Sequence, residues 1–325
     1  MPAPTATLAS LRPDLAGSFM EYDLMAQNSG FIATEVFPVT NVAKASGTFG
    51  KIPIEQLLQT RNTDRAPGAN YSRGNWTFTT DTYACEEHGA EEPVDDNEAA
   101  MYSDWFDAEQ ISAARAMSAV LRNAEIRMNT AVFNATTWTS YTTGITHEWD
   151  DAANAVPITD VEAAVQSVYD QSGLWANALI IGRKTFRNLR ICASVIERIS
   201  SDGAGSAEPA RDITKAQLSR VFDLDHIIVG GTTKNTATEG QSASLAHIWD
   251  PEYAMVCRVA ETSDIREPCI GRTFHWADDG SQVGGTVESY RDESIRSEVI
   301  RVRHQVAEKV LYVEAGHLLS NITTI

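Results

Sequence analysis

Residues 94–143 read VDDNEAAMYSDWFDAEQISAARAMSAVLRNAEIRMNTAVFNATTWTSYTT and contain neither Gly nor Pro. Within them Ala114, Met117, Leu121, Ala124, Met128, Ala131 and Ala135 recur at steps of three and four, an apolar stripe of helical period. Pro93 stands just before, and Asp95, Asp96 and Glu98 fill the first turns, where the helix dipole favours anions. The pattern predicts a helix over about 95–136, roughly 60 Å long at ~1.5 Å per residue. A compact globule of this chain length would be only about 50 Å across. A helix spanning the whole molecule implies a flat, extended shape.

Upstream, residues 80–110 (TDTYACEEHGAEEPVDDNEAAMYSDWFDAEQ) hold eleven Asp or Glu and no Lys or Arg. Residues 44–73 (KASGTFGKIPIEQLLQTRNTDRAPGANYSR) are the counterpart, with Lys44, Lys51, Arg61, Arg65 and Arg73 against Glu55 and Asp64. That stretch carries Gly, Pro and Asn but little core material, and most connections inside a compact domain are shorter. An exposed ion pair contributes only ~0.2–1 kcal/mol, so these opposed charges serve steering and register between surfaces better than monomer stability. A coreless basic loop and an acidic surface without local partners both fit a partner that is another copy of the chain.

Around these stretches FIATEVFPV (31–39) is expected as a strand from its β-branched and aromatic content. Trp76, Phe78 and Thr80 alternate with Thr77 and Thr79 as a strand returning from the loop. Residues 1–29, with Pro2, Pro4 and Pro13, read as an arm, partly helical over 13–25. After Gly144 the character changes to alternating elements: helix 158–171, strand 176–182, helix 183–200, a flexible SSDGAGSAEPARD, a helix over TKAQLSRVFD, strand 225–231 and strand AHIWDPEYAMVCRVA. This predicts a layer of helices and strands with its own core. EVIRVRHQV (298–306) alternates as a half-buried strand.

The 325 residues suffice for several domains, and 43% hydrophobic with 22% charged residues is an ordinary folded composition. No apolar run approaches the ~20 residues of a membrane span, and MPAPTATLASLRPD lacks the pattern of a signal peptide. Cys85, Cys192, Cys257 and Cys269 show no paired spacing and read as thiols in a reducing cytoplasm. A net charge of −18 argues against broad adhesion to nucleic acid, though not against a protein that encloses DNA without sticking to it. Phosphate-binding glycine loops, the nucleophile elbow and HExxH are absent. Cys85 and His88 have a C-x-x-H spacing but no second pair at a suitable distance. The 81–109 carboxylates lack the register of a calcium loop.

In order along the chain, several segments resemble the major capsid proteins of tailed bacteriophages, with the α+β, Hong Kong 97-type fold. GFIATEVFPVTNVAKASGTFGKI resembles the family's first strand running into its extended loop, and TDTYACEEHGAEEPVDDNE the segment before its spine helix. TAVFNATTW is similar to the end of that helix. ANALIIGRKTFRNLR, HIIVGGTTKNTATEGQ and AHIWDPEYAMV follow the order of its axial domain, and VESYRDESIRSEVIRVRHQVAEKVLYVEAGHLL resembles its closing segment. The resemblance implies an N-terminal arm with the first strand (1–43), an extended loop (44–79), a peripheral domain with the spine helix (80–154), an axial domain (155–290) and a return to the peripheral domain (291–325).

For function, the resemblance implies a non-enzymatic shell subunit that assembles with copies of itself into hexamers and pentamers, in the bacterial cytoplasm, as part of the virion. The shell encloses double-stranded DNA without reading its sequence. No cofactor, metal or membrane is implied; a portal and a separate scaffolding protein are, the latter because the arm begins almost at once. A decoration protein could add stability. Contacts between subunits are expected at Lys44, Lys51, Arg61, Arg65 and Arg73 on the loop and at Glu86, Glu87, Glu91, Glu92, Asp95 and Asp96 on the acidic stretch, left un-neutralised within its own subunit. The loop tip TRNTDRAPG has no lysine, so the Lys–Asn cross-link of some members is not expected. Two other readings stand beside this one: an encapsulin-like compartment enclosing enzymes, and a metal-dependent hydrolase using the 81–109 carboxylates.

Overall fold

A computed structural model describes residues 10–11, 30–75, 77–102, 107–201, 213–277 and 285–324. Apart from Ser10–Leu11, the arm expected over 1–29 lies outside the described residues, as does most of the expected flexible SSDGAGSAEPARD. In chain order the first elements are β1 (Ser10–Leu11), α1 (Ala33–Val36), β2 (Val39–Val42), β3 (Ser46–Lys51), α2 (Ile54–Leu57), β4 (Thr79–Ala84) and β5 (Glu86–Asp95). Then come α3 (Asp96–Tyr102), α4 (Ala108–Val132), β6 (Thr142–Gly144), α5 (Pro157–Ser172), β7 (Ala178–Gly182), α6 (Arg183–Leu189), α7 (Ala193–Ser201), α8 (Lys215–Phe222) and β8 (His226–Gly230). The remainder is strand: β9 (Thr233–Asn235), β10 (Leu245–His247), β11 (Tyr253–Cys257), β12 (Gly271–Trp276), β13 (Thr286–Asp292), β14 (Ser297–Val310) and β15 (Gly316–Ser320).

Two sheets organise these elements. One is built on β14, which pairs antiparallel with β13, β12 and β5, while β2 adds parallel to β12 and β1 antiparallel to β13. The other runs β6–β15–β11–β7–β8, with parallel pairs at both ends. β3 and β4 form a separate antiparallel hairpin. The expected 155–290 unit therefore contributes to both sheets, since β12 and β13 join β14, and β15, from 291–325, returns to the second sheet.

All five residues of β7 are buried, as befits a strand covered on both faces. Leu179 and Ile181 pack with Trp149, Val161, Val168, Leu218 and Phe222 under the helices α5 and α8. Ala178 and Ile180 point the other way, into a cluster with Phe37, Met128, Val132, Trp138 and Trp249. The first sheet has its own core, where Val94, Val287, Ile300 and Val302 meet Ala113, Ala116, Met117 and Val120 of α4. The long helix α4 thus serves two cores, the first sheet along its N-terminal half and the second sheet at its C-terminal end.

That helix differs from expectation in length and phase. Asp107 has extended backbone (φ −81°, ψ 108°) and caps α4, its side chain accepting from the N–H of Glu109 (3.0 Å) and Gln110 (3.4 Å). A cap residue there starts a helix afresh, so 25 residues, about 37 Å, replace the single 60 Å rod. The buried face is Ala113, Ala116, Met117, Val120, Glu125, Met128 and Val132; of the expected stripe only Met117 and Met128 are on it, and Ala135 is exposed beyond the helix end.

Other boundaries moved as well. The expected strand 31–39 is the short helix α1 followed by β2, and the expected helix 183–200 divides into α6 and α7. Among the described residues no helix is long and apolar enough to cross a membrane. Cys192, Cys257 and Cys269 are buried free thiols, and burial pushes the Cys192 thiol up to about 11.

Candidate inter-subunit surface

The acidic stretch is chiefly strand rather than a helix start. β5 pairs with β14 over ten residues, from Glu86↔Val306 to Asp95↔Ser297. Among the described residues no strand pairs its other edge. Pro93 tolerates that position because an edge strand needs no ladder donor on its open side. Alternate side chains face inward, so His88, Ala90, Glu92 and Val94 are more covered than Glu87, Gly89, Glu91 and Pro93.

The expectation that this stretch goes un-neutralised within its own subunit is corrected by the register. Arg301 and Arg303 project between β5 and β13 and are shared by carboxylates on both sides. Glu288 of β13, 8% exposed, accepts from Arg301 (2.5 Å) and Arg303 (2.8 Å), and the Arg303 hydrogen bond above all holds its carboxyl below the usual range. On the other side Arg301 approaches Glu91 and Arg303 approaches Glu87, each at 3.8 Å. Arg115 of α4 reaches Glu92 at 3.6 Å, and Lys309 of β14 reaches Asp81 at 2.9 Å. Arg291 grips Asp96 with both guanidinium ends (2.5 and 2.6 Å), which lowers the Asp96 pKa. Asp95 caps α3, accepting from the N–H of Asn97 (2.8 Å) and Glu98 (3.4 Å). Glu86 is exposed at the strand's start. These pairs escape a sequence reading because Arg301 and Arg303 lie some two hundred residues downstream, and only the strand register brings them together.

The basic set divides in two. Lys51, at the end of β3, donates to the Leu311 carbonyl and lies 4.2 Å from the Tyr312 ring centroid. Lys44 is exposed, its carbonyl accepting from the Tyr83 hydroxyl at 3.3 Å. Arg61, Arg65 and Arg73 sit in a segment, 58–75, in which every residue is exposed. There Arg65 donates to the Ala69 carbonyl (2.7 Å) and stacks over Tyr71 at 4.6 Å, contacts internal to the loop. Leu58 and Tyr71 stand 61% and 71% exposed, apolar surface left uncovered by the loop's own body.

A metal-dependent hydrolase finds no support in this geometry: among the described residues no group of three or more His, Cys, Asp and Glu is placed to hold a metal ion. His88 packs edge-on against His304 at 6.0 Å, and the Cys85 thiol donates to the Phe274 carbonyl at 3.6 Å. Burial, then Arg127, holds the His304 pKa down at about 3, leaving that ring neutral.

No family model and no curated protein matches the chain. Solved structures do. A phage-related protein from Bordetella bronchiseptica RB50 is 20% identical, with a TM-score of 0.69 over 97% of this chain and 99% of that one. The virus-like particle protein of Pyrococcus furiosus is 15% identical, with a TM-score of 0.56 over 94% and 98%. The capsid protein of cyanophage P-SCSP1u is 12% identical, with a TM-score of 0.58 over 88% and 86%. The mixed helix-and-strand fold of this chain is that of phage capsid proteins.

Proposed function

We propose that the chain is the major capsid protein of a tailed bacteriophage, of the Hong Kong 97 type. Copies of it assemble into the hexamers and pentamers of an icosahedral shell around double-stranded DNA. The observation that carries this is segment 58–75, exposed along its whole length in a chain with a capsid fold. Ordering a residue costs about 1–2 kcal/mol of backbone entropy, and this exposed segment recovers little of it by burial on its own body. A neighbouring subunit can supply that burial, and many weak contacts per subunit then add up.

In this reading residues 44–79 are the extended loop, and the β14 sheet with α4 is the peripheral domain. The β7 sheet with α5 to α8 is the axial domain. The open acidic edge of β5 is the surface over which a neighbour's loop lies. A net charge of −18 keeps most of the protein from adhering to packaged DNA. A scaffolding protein and a portal complete the assembly.

Electron microscopy of the overexpressed chain, alone and with the products of neighbouring genes, tests the proposal. Closed shells with five- and sixfold units are expected. A monodisperse monomer under every condition, gene products of the same locus included, would sink it.

A further inference from the structure

An open cleft of about 750 Å³ lies between the segment 30–35, the helix α6, the start of α8 and the end of β8. Arg183, Arg187, Arg190 and Lys215 line it, with Glu35 as the one carboxylate among the described residues. Steps of four and three place the three arginines on one helical face, over about 10 Å of axis. The wall opposite is fixed by Gly30, whose carbonyl accepts from the Gly231 N–H at 3.1 Å. Its φ of +91°, and a 2.7 Å approach of any Cβ to Gly231, reserve that position for glycine.

Arg65, Arg73 and Arg220 stand on exposed surface without a carboxylate partner among the described residues, but other arginines are paired. Arg115, Arg127, Arg258, Arg272, Arg291, Arg301 and Arg303 each have a carboxylate within 4 Å. Arg183, Arg187 and Lys215 are exposed and have none among the described residues. In a chain with 44 carboxylates for 26 Lys and Arg, three unpaired cations lining one concavity are a surface kept for an anion from outside.

We infer that this cleft binds the phosphodiester backbone of nucleic acid, as the point at which the shell subunit touches the DNA it encloses. The inference rests on the shell reading for the source of the phosphates. Guanidinium forks match phosphate oxygens bidentately, and arginines about 4.5–6 Å apart along α6 and its C-cap present a row to successive phosphates. Phe31, Ile32, Phe186 and Val229 make up the apolar part of the lining, beside four cations. With a net charge of −18 over the whole chain, contact through this row stays weak, which lets DNA move.

Anisotropy of a labelled duplex of about 20 base pairs with the unassembled subunit, from about 50 to 200 mM salt, tests the inference. Three or four phosphate contacts predict a slope of log K against log salt near −3. Arg183→Ala should reduce the slope by about one, and Arg183→Glu/Arg187→Glu should abolish binding, with melting temperatures unchanged. Arg220→Glu, the same charge change on α8 outside the cleft, should behave as wild type. Absence of binding at the lowest salt, or insensitivity to the Arg183 and Arg187 changes, would overturn the inference. So would displacement by poly-glutamate as effective as by unlabelled duplex, which would make the cleft an acidic-peptide dock. Micrographs of the same preparations separate the two levels: shells without cleft-dependent DNA binding sink the cleft alone, and no shells sink the shell reading.

Discussion

Glu125 is nearly fully buried on α4, and no cation offsets it among the described residues. Its Oε1 accepts from the N–H of Ile32 and Ala33, and its Oε2 from the Trp249 indole, all at 2.6 Å. One carboxyl therefore ties the start of α1, the long helix and the segment before β11 together. It also explains α1, because an N-terminus capped from ninety residues away can be helical despite a strand-like composition. Neither was legible locally, since a charged residue is not placed in a core from sequence. Glu125→Ala leaves three buried donors unpaired, at roughly 1–3 kcal/mol each, and should lower the denaturation midpoint more than Glu125→Gln. Burial holds the Glu125 proton up to about pH 7, against 4.5 for the ordinary group. Between those values the folded state keeps a proton that the unfolded state has lost, so stability falls as pH rises through the window. The fall is on the order of 3 kcal/mol, and no contribution remains above it. Melting temperatures should therefore drop more from pH 5 to pH 8 for wild type than for Glu125→Gln; equal slopes would refute the assignment.

At the scale of elements, β5, β14 and β13 form a charge ladder, carboxylates outside and arginines on the central strand. Only part of this could be read from sequence. The charge count and the basic loop are local properties, and they were visible. The strand itself was hidden because Pro93 followed by Asp95 and Asp96 matches a helix start, while Pro at an open edge satisfies the same residues as a strand. Cross-strand partners depend on register, which no local pattern reports. The ladder changes what a charge reversal would test. Replacing Glu86, Glu87, Glu91 and Glu92 by Lys should impair assembly or make shells salt-sensitive, but three of these four also face arginines of their own chain. Exposed pairs of this kind contribute about 0.2–1 kcal/mol each. The reversed subunit should accordingly melt only a few degrees lower while assembling poorly. Normal shells from it would remove the acidic edge from the interface, and a collapsed subunit would show that the ladder serves the fold instead.

For the whole molecule, the loop between β3 and β4 decides between a self-sufficient body and a tile. It contains no lysine; Lys44 precedes β3, and Lys51 at the end of β3 is held on the Leu311 carbonyl. The loop's basic side chains are the guanidinium groups of Arg61, Arg65 and Arg73, which are poor nucleophiles. Assembled protein should run on denaturing gels as one band near 35.5 kDa, and a ladder of covalent oligomers would contradict this. The stronger test removes the segment. Every residue of 58–75 is exposed, with Leu58 beside Gly173 its one apolar approach to the body among the described residues, and the β3–β4 hairpin register, Ser46↔Ala84 to Lys51↔Thr79, lies outside the segment. Shortening a flexible connection changes closure entropy by only about 0.6 kcal/mol per halving. Replacing 58–75 by a short Gly–Ser turn should therefore leave the melting temperature of the unassembled subunit within a few degrees of wild type and abolish shell formation. Loss of the fold would mean that the loop supports its own subunit. Shells formed at wild-type yield would mean that no neighbour needs it, and the case for a tile would then have to rest on the fold alone.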